Sequence, residues 1–185
     1  MAMNSLKNTQ EGIFRIEDAR PEDVGAMIDI KKARWLEIYP NEKHGITAED
    51  LSAIDWHNPA DLARRRKELT ENKNKHTWVL KNDKGDVVGF CKVTKSDVLG
   101  EINAMYTAPG FEGKGLGKKL MEKSLEWLGP DSDVKLKVVV YNTHAIDFYK
   151  KFGFQKTENK VDYGGTQLQS GKEIPRIEMR RQHGS

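Results

Sequence analysis

Hydrophobic and polar positions along the chain follow two different periods. Strand-like segments alternate in steps of two or form short apolar runs: residues 13–19, 76–82, 87–95, 101–106, 134–140, 154–161 and 174–181. Helix-like segments carry helical spacing or a helix start signal: residues 21–39, a short stretch after Thr47, residues 58–72, residues 116–128 and a stretch after Asn142. The order of these elements predicts an α/β protein.

Local signals set several of the element boundaries. Pro21, followed by Glu22 and Asp23, is typical of a first helical turn, where acidic side chains lie at the positive end of the helix dipole. This helix is expected to end near Tyr39, because a residue that precedes proline avoids helical geometry. Residues 47–50 resemble a capping box, and residues 83–86 are expected to form a hairpin turn.

Composition bounds the class of protein. The chain has 185 residues, of which 37% are hydrophobic, which suits a single domain over residues 1–185. Its 31 basic and 28 acidic side chains give a net charge of +3, and this mixed surface does not require nucleic acid as a partner. Because no apolar stretch approaches membrane-spanning length, we expect a cytoplasmic protein without membrane contact. The single cysteine, Cys91, excludes an internal disulfide, and the scattered histidines predict no metal site.

A glycine-rich segment at residues 107–117 carries the strongest chemical signal. It reads Thr-Ala-Pro-Gly-Phe-Glu-Gly-Lys-Gly-Leu-Gly and joins a predicted strand to a predicted helix. Such a segment presents free backbone N–H groups at the positive end of a helix dipole, which favours phosphate binding. Leu116 and Gly117 stand where a mononucleotide P-loop requires lysine and a hydroxyl, and the G-x-G-x-x-G spacing also fails. The glycines alone fit a turn without a ligand equally well.

This loop and a second segment together resemble the GNAT superfamily of acetyl-CoA-dependent N-acetyltransferases. The pyrophosphate loop of that family, Gln/Arg-x-x-Gly-x-Gly/Ala, aligns with Glu112, Gly115 and Gly117. Residues 142–154 match the family signature Asn-x-x-Ala, Phe-Tyr and Gly-Phe, so the resemblance covers residues 101–154. It implies the GNAT fold, a mixed central sheet with helices on both faces, and direct transfer of an acetyl group from acetyl-CoA to a primary amine.

The resemblance also implies the residues that hold the co-substrate. Backbone at the end of the strand would pair with pantetheine, amides of the loop would hold the pyrophosphate, and the following helix would complete the site. The implied acetyl-CoA-binding residues are Tyr106, Thr107, Gly113, Lys114, Gly115, Leu116, Gly117, Lys118, Asn142 and Tyr149.

Glu112 departs from the family pattern. A carboxylate repels a pyrophosphate, so we expect this side chain to turn outward while Lys114, Lys118 and Lys119 restore positive charge. The departure favours an alternative function, a catalytically silent domain that binds an acyl-CoA as a sensor or as a partner-binding module.

Two residues are candidates for catalysis. Tyr149 would act as the general acid that protonates the departing CoA thiolate, and the alternative is that its ring only packs. Glu101 would act as the base, because it precedes the end of the strand that pairs with the co-substrate by the same number of residues as the base glutamate does in the histone-acetylating branch of the family. A carboxylate at a sheet edge without a catalytic role is an equal alternative for Glu101, since bases in this family vary and often act through water.

The acceptor amine is the least determined part of the prediction. Trp35 and Tyr39 resemble the residues that line the acceptor cleft in a bacterial subgroup that includes polyamine acetyltransferases of the PaiA type. Core packing is the better reading for Trp35. Acidic residues near these aromatics favour a cationic amine, while a small amine or polyamine, an amino acid and a peptide N-terminus all stay open. The oligomeric state also stays open, a homodimer included.

Overall fold

The computed structural model describes residues 12–157 and 160–183. Its helices and strands follow one another in the order β1 (Arg15–Asp18), α1 (Val24–Ile38), α2 (Ala48–Ser52), α3 (Pro59–Glu71), β2 (Lys75–Lys81), β3 (Val87–Lys95), β4 (Leu99–Thr107), α4 (Leu116–Leu128), β5 (Asp133–Val139), α5 (Thr143–Lys150), β6 (Gln155–Lys156) and β7 (Arg176–Arg181). Short 3₁₀ turns at Pro21–Asp23 and Glu42–His44 flank α1.

The strands form one mixed sheet in the order β1-β2-β3-β4-β5-β7-β6. Strands β4 and β5 pair in parallel, and the other neighbouring strands pair antiparallel. The pairing of β4 with β5 stops at Ile102 and Leu136, although β4 continues to Thr107 and β5 to Val139. The two strands therefore separate at the middle of the sheet and leave a gap between their C-terminal ends.

Helices cover both faces of this sheet. On one face, α4 buries Leu116, Leu120 and Leu128 against residues of β2 to β5, and Ile146 of α5 joins the same cluster. On the other face, α1 buries Val24, Ile28, Ile30 and Trp35 among residues of α2, α3 and the sheet. The predicted fold class, an α/β protein with a mixed sheet between two helical layers, is confirmed.

One predicted strand is assigned over only part of its expected length. Residues 154–161 were expected to be extended; β6 is Gln155–Lys156, and residues 158 and 159 of the predicted strand lie outside the described residues. The chain beyond it is held by Asp162, whose carboxylate accepts bonds from Lys137, Arg176 and the Gly164 N–H. These bonds form a turn at residues 162–164, just after the predicted strand. Pairing with β7 beyond β6 includes the Thr157 N–H, which donates to the Glu178 carbonyl, and an isolated bridge between Asp162 and Arg176.

Candidate active site

A cleft of about 380 Å³ occupies the gap between β4 and β5. Residues 102–107 of β4 form one wall and residues 137–139 of β5 form the other. The glycine-rich loop, the first turn of α4, the residue range 142–149 around α5 and the end of α1 complete the lining. Because this edge of β4 lacks a strand partner, its backbone donors and acceptors are open to a slender ligand that lies along the strand.

The glycine-rich loop delivers the N-terminus of α4 to this cleft. Gly110, Gly113 and Gly115 have positive φ angles of 82°, 72° and 71°, a conformation that other residues rarely adopt. Gly115 is the N-cap of α4, no side chain caps the helix, and the first turn contains no acidic residue. The free N–H groups and the helix dipole therefore face the cleft without a competing carboxylate on the helix itself.

Leu116 anchors this helix start. Its side chain is only 1% exposed and packs in the core beneath the sheet. Any contact of Leu116 with a ligand therefore comes from its backbone N–H.

Glu112 was expected to turn outward from a pyrophosphate; its side chain is 42% exposed, borders the cleft and is paired with a cation. Its carboxylate accepts a hydrogen bond from the Arg34 guanidinium at 2.5 Å and another from the Gly110 N–H at 2.8 Å. Its own backbone N–H and the nearby Arg34 charge hold the Glu112 pKa below its usual value. The Arg34 side chain is 14% exposed, also pairs with Glu37 at 2.7 Å, and lines the cleft. A cation from α1 thus lies where the family motif would place a cation in the loop.

The lysines of the glycine-rich loop and of the first turn of α4 are exposed and are held in place less firmly than Arg34. Lys118 pairs with Glu122 one helical turn away, at 3.7 Å. The Lys114 ammonium lies 4.9 Å from the centre of the Phe111 ring. Both side chains are exposed, so their attraction for an anion is screened by salt.

Asn142 and Tyr149 border the cleft from α5. Asn142 is the N-cap of the helix, and its side-chain oxygen accepts the Ala145 N–H at 3.1 Å. Phe148 and Tyr149 both lie along the cleft, and their rings meet edge to face. Burial, followed by the neighbouring Tyr106 and Cys91, raises the pKa of the Tyr149 phenol far above its usual value. The phenol therefore carries its proton throughout the neutral range and is a donor, not an acceptor of protons.

Aromatic side chains from α1 and β4 meet beside the cleft. The Trp35 indole N–H donates to the Tyr106 hydroxyl at 3.0 Å, and the Trp35 ring packs on Tyr39 and Trp56. Trp35 is 8% exposed and does not line the cleft, whereas Tyr39 and Tyr106 do. Burial, and secondarily Tyr106, raises the Tyr39 pKa well above its usual value. Trp35 thus positions Tyr106, and of the two residues predicted to line the acceptor cleft, Tyr39 is the one that borders this cleft.

Glu101 lies in the part of β4 that is still paired with β5. Its carboxylate is 3.5 Å from the Lys135 ammonium on the neighbouring strand, and its side chain is 32% exposed. Glu101 is separated from the cleft lining, which begins at Ile102. Its role as a base stays a prediction, and any such role needs water to span the distance.

Across residues 12–157 and 160–183, no three His, Cys, Asp or Glu side chains are grouped so that they could hold a metal ion. Over the same ranges, no helix is both long and apolar enough to cross a membrane.

The fold and the cleft together define an α/β protein in which an open strand edge lies beside an uncapped helix N-terminus, an arrangement that suits a slender ligand with phosphate groups. A protein-family model described as the acetyltransferase (GNAT) family matches residues 33–154, well over half of the chain. The chain belongs to this family, and the resemblance seen in the sequence is confirmed. The family uses acetyl-CoA as the acetyl donor.

Individual relatives are more distant. The chain is 28% identical over 163 residues to a mycothiol acetyltransferase of Propionibacterium freudenreichii, a match that covers 83% of this chain and 46% of that protein. It is 38% identical over 86 residues to the peptidyl-lysine N-acetyltransferase YjaB of Salmonella typhimurium, covering 46% of this chain and 54% of that one. The chain thus spans about half the length of the curated relatives it matches.

A solved structure shares the fold. The PaiA N-acetyltransferase of Thermoplasma acidophilum, in complex with coenzyme A, superposes with a TM-score of 0.70 at 16% identity. The superposition covers 92% of this chain and 99% of that one.

Proposed function

We propose that this chain transfers the acetyl group of acetyl-CoA directly to a primary amine. The observation that carries the proposal is the cleft between β4 and β5, into which the uncapped N-terminus of α4 and the protonated Tyr149 phenol both face. The first feature fits a pyrophosphate, and the second fits a leaving thiolate. Family membership supports the same activity.

The cleft offers each part of acetyl-CoA a matching surface. Pantetheine would lie along the open edge of β4 near Tyr106 and Thr107, as an added strand does. The pyrophosphate would accept backbone N–H groups of residues 113–118 at the start of α4. Arg34 would supply the positive charge that Glu112 lacks, by releasing Glu112 or Glu37 and turning to the phosphates.

The reaction needs one bond formed and one bond broken. The neutral amine nitrogen attacks the thioester carbonyl carbon, a backbone N–H near Thr107 meets the negative charge on the oxygen, and the C–S bond then breaks. Tyr149 gives its proton to the sulfur, while the amine loses a proton to water or, through water, to Glu101. In water a phenol is a weaker acid than a thiol by about 2 kcal/mol. Burial of Tyr149 widens this difference by raising the phenol pKa, and burial of the thiolate in the same cleft offsets part of it by raising the thiol pKa.

The acceptor is proposed only as a primary amine on a small molecule or a peptide, encountered in the cytoplasm. The relatives named above act on different amines by their names, so they do not select one for this chain. Tyr39, at the end of α1, is the aromatic residue placed to contact the acceptor.

Two measurements test the proposal separately. Thiol release over a panel of amines reports turnover, and calorimetry with acetyl-CoA reports binding. In Gly117→Val the dissociation constant for acetyl-CoA should rise at least tenfold, about 1.4 kcal/mol, because the branched side chain would meet Phe148 and narrow the cleft. Gly117→Ala is the matched control, since its Cβ would lie 3.5 Å from the Phe148 ring, an ordinary contact, in a helical conformation.

The outcomes distinguish the two candidate functions. Amine-dependent thiol release supports the enzyme. Tight acetyl-CoA binding without turnover on any amine supports a silent acyl-CoA-binding domain, for which the paired Glu101 carboxylate is the favouring observation. Equal acetyl-CoA affinity in the folded Gly117→Val variant would show that the ligand does not occupy this cleft.

A further inference from the structure

A second cavity, of about 310 Å³, lies between the sheet and the helices α1 and α3. It is separate from the loop and the start of α4, and it is lined by charged residues as well as by apolar ones. Cavities near this size are at the lower end of the range that binds small ligands, which suits a molecule about as large as an amino acid.

Lys31 occupies an unusual place in the wall of this cavity. It stands on α1 between Ile28 and Trp35, one turn from each, on the face that the helix buries. Its ammonium lies 4.4 Å from the centre of the Trp35 ring. A lysine on the buried face of a helix costs stability. The Trp35 ring, and the Trp56 ring at 5.7 Å, offset part of this cost but carry no negative charge to neutralise the ammonium.

Cationic side chains outnumber carboxylates in the lining of this cavity. Four cationic side chains line it, Lys31, Arg65, Lys75 and Lys92, against two carboxylates, Asp18 and Glu68. Both carboxylates are already engaged, because Asp18 pairs with His76 at 2.8 Å and Glu68 with Lys92 at 2.6 Å. Within the described ranges, neither Lys31 nor Arg65 has a carboxylate within 4.0 Å.

Lys31 and Arg65 are also close enough to repel one another. Burial first, and the Arg65 charge second, lower the pKa of Lys31 to about 8. The Asp61 carboxylate opposes these two effects only in part, because it is exposed and pairs with Arg64. Two half-buried cations on facing helices, neither in direct contact with a carboxylate, are stabilised by an anion between them.

The cavity meets the acetyl-CoA cleft at β4. Asn103 and Ala104 line both spaces. The strand is irregular there, because Lys92 of β3 pairs with Ala104 while the next residue, Val93, pairs with Ile102, so Asn103 is an extra residue in the ladder. The Asn103 side chain is held by Thr94 at 2.6 Å. A ligand in the cavity can thus reach the strand along which the thioester would lie.

We propose that this cavity is the acceptor site, and that Lys31 and Arg65 hold an anionic group of the acceptor while its amine points to β4. The proposal rests on the acetyltransferase function proposed above and narrows its substrate class. The acceptor is an amine that also bears a carboxylate or a phosphate group, and a polycationic amine is disfavoured there.

Matched pairs of acceptors test the proposal. Glycine, β-alanine and 4-aminobutyrate are compared with their amides, which keep the amine and the length but lose the anionic group. Aminoethylphosphonate and ethanolamine form a second pair that separates phosphate-like from carboxylate recognition, and putrescine represents the cationic class. At least one anionic acceptor should exceed its uncharged partner at least tenfold in kcat/KM, through a lower KM.

Substitutions of Lys31 and Arg65 test whether the cavity causes the preference for anionic acceptors. Lys31→Gln and Arg65→Gln should each reduce the ratio of kcat/KM for the anionic acceptor to kcat/KM for its uncharged partner at least tenfold. The KM for acetyl-CoA should change by less than about twofold, because both charges are remote from that cleft. Arg65→Glu should shift the preference toward putrescine. Arg66→Gln is the matched control, because Arg66 is exposed on the same helix and does not line the cavity.

The outcomes separate this proposal from the activity itself. Turnover with equal rates for anionic and uncharged partners, or a ratio that survives Arg65→Gln, overturns the acceptor site and leaves the acetyltransferase intact. If no amine is turned over, calorimetry of the CoA-bound protein with the anionic probes decides. Heat that disappears in Lys31→Gln and Arg65→Gln but not in Arg66→Gln supports an anion site in the cavity, and absence of heat overturns it.

Discussion

The ion pair between Arg34 and Glu112 predicts how the affinity for acetyl-CoA changes when either side chain is replaced. Arg34 lies at the end of α1 and Glu112 in the phosphate loop, and their side chains are 14% and 42% exposed. In Arg34→Gln the loop keeps its bond between Glu112 and the Gly110 N–H but loses a cation beside the cleft. A hydrogen bond to a charged group contributes about 1.5–3 kcal/mol.

The expected loss of affinity lies at the low end of that range. Arg34 must release a carboxylate before it can contact a phosphate, so we expect Arg34→Gln to weaken CoA by about 1.5 kcal/mol, roughly tenfold. Glu112→Gln keeps an acceptor for Gly110 and removes the competing negative charge. It should therefore tighten CoA by less than ~1 kcal/mol, and it should lower the free energy of unfolding by a similar amount, as for a partly exposed ion pair.

Calorimetry with CoA on the two single variants and the double variant tests the reasoning. If Glu112 acts on CoA through Arg34, the gain from Glu112→Gln disappears in the Arg34→Gln background. Raising the salt concentration should weaken CoA in the wild type more than in Arg34→Gln. Arg34→Gln with wild-type affinity, or Glu112→Gln with weaker affinity, would refute the assignment of Arg34 to the phosphates.

Two further predictions concern Tyr149 and Lys31. Tyr149→Phe keeps the ring but removes the proton donor, so single-turnover acetyl transfer should slow by about 10²-fold with a much smaller change in the KM for acetyl-CoA; an unchanged single-turnover rate would remove Tyr149 from the mechanism. Lys31 has its pKa lowered to about 8 by burial and by Arg65, with Asp61, Arg176 and Lys92 also nearby. The unfolded state therefore binds more protons above that pH, and the Lys31 contribution to stability should rise with pH from about 8 to the unperturbed value near 10.4. Lys31→Met should raise Tm at pH 7 and remove the increase of stability with pH, and Lys84→Met, at an exposed lysine, is the control. Equal pH profiles of the free energy of urea unfolding for Lys31→Met and wild type would contradict the lowered pKa of Lys31.

The sequence predicted those parts of the protein that local signals determine. The glycines of the phosphate loop, the proline and acidic residues before α1, and the alternating strands each act within a few residues, so their consequences can be derived without the structure. The capping box at Thr47 and the helix start at Asn58 are found as expected. The candidate site residues on the loop and on α5 come together at one cleft for the same reason, because both segments follow strands that end at the same edge of the sheet.

The contacts that modify the site could not be predicted in this way. Arg34 and Glu112 are 78 positions apart, and Trp35 and Tyr106 are 71 positions apart. Neither pair is linked by a period or a motif, because both depend on how α1 lies across the sheet. The course of the chain after β6 could not be predicted either, because the Asp162 carboxylate bonds to Lys137 and Arg176, 25 and 14 positions away.

Helix α1 contributes one cationic side chain to the acetyl-CoA cleft and another to the second cavity. Lys31 and Arg34 are one turn apart on this helix, yet Lys31 lines the cavity beneath α3 and Arg34 lines the cleft beside the phosphate loop. Neither residue belongs to the motifs that identify the family. The motif residues present backbone groups and a phenol that any acetyl-CoA could use, whereas α1 places one cation in each space. Because charge decides which anionic groups either space accepts, the selectivity of this chain for its ligands depends on the angle and register of α1 rather than on the loop that identifies the family.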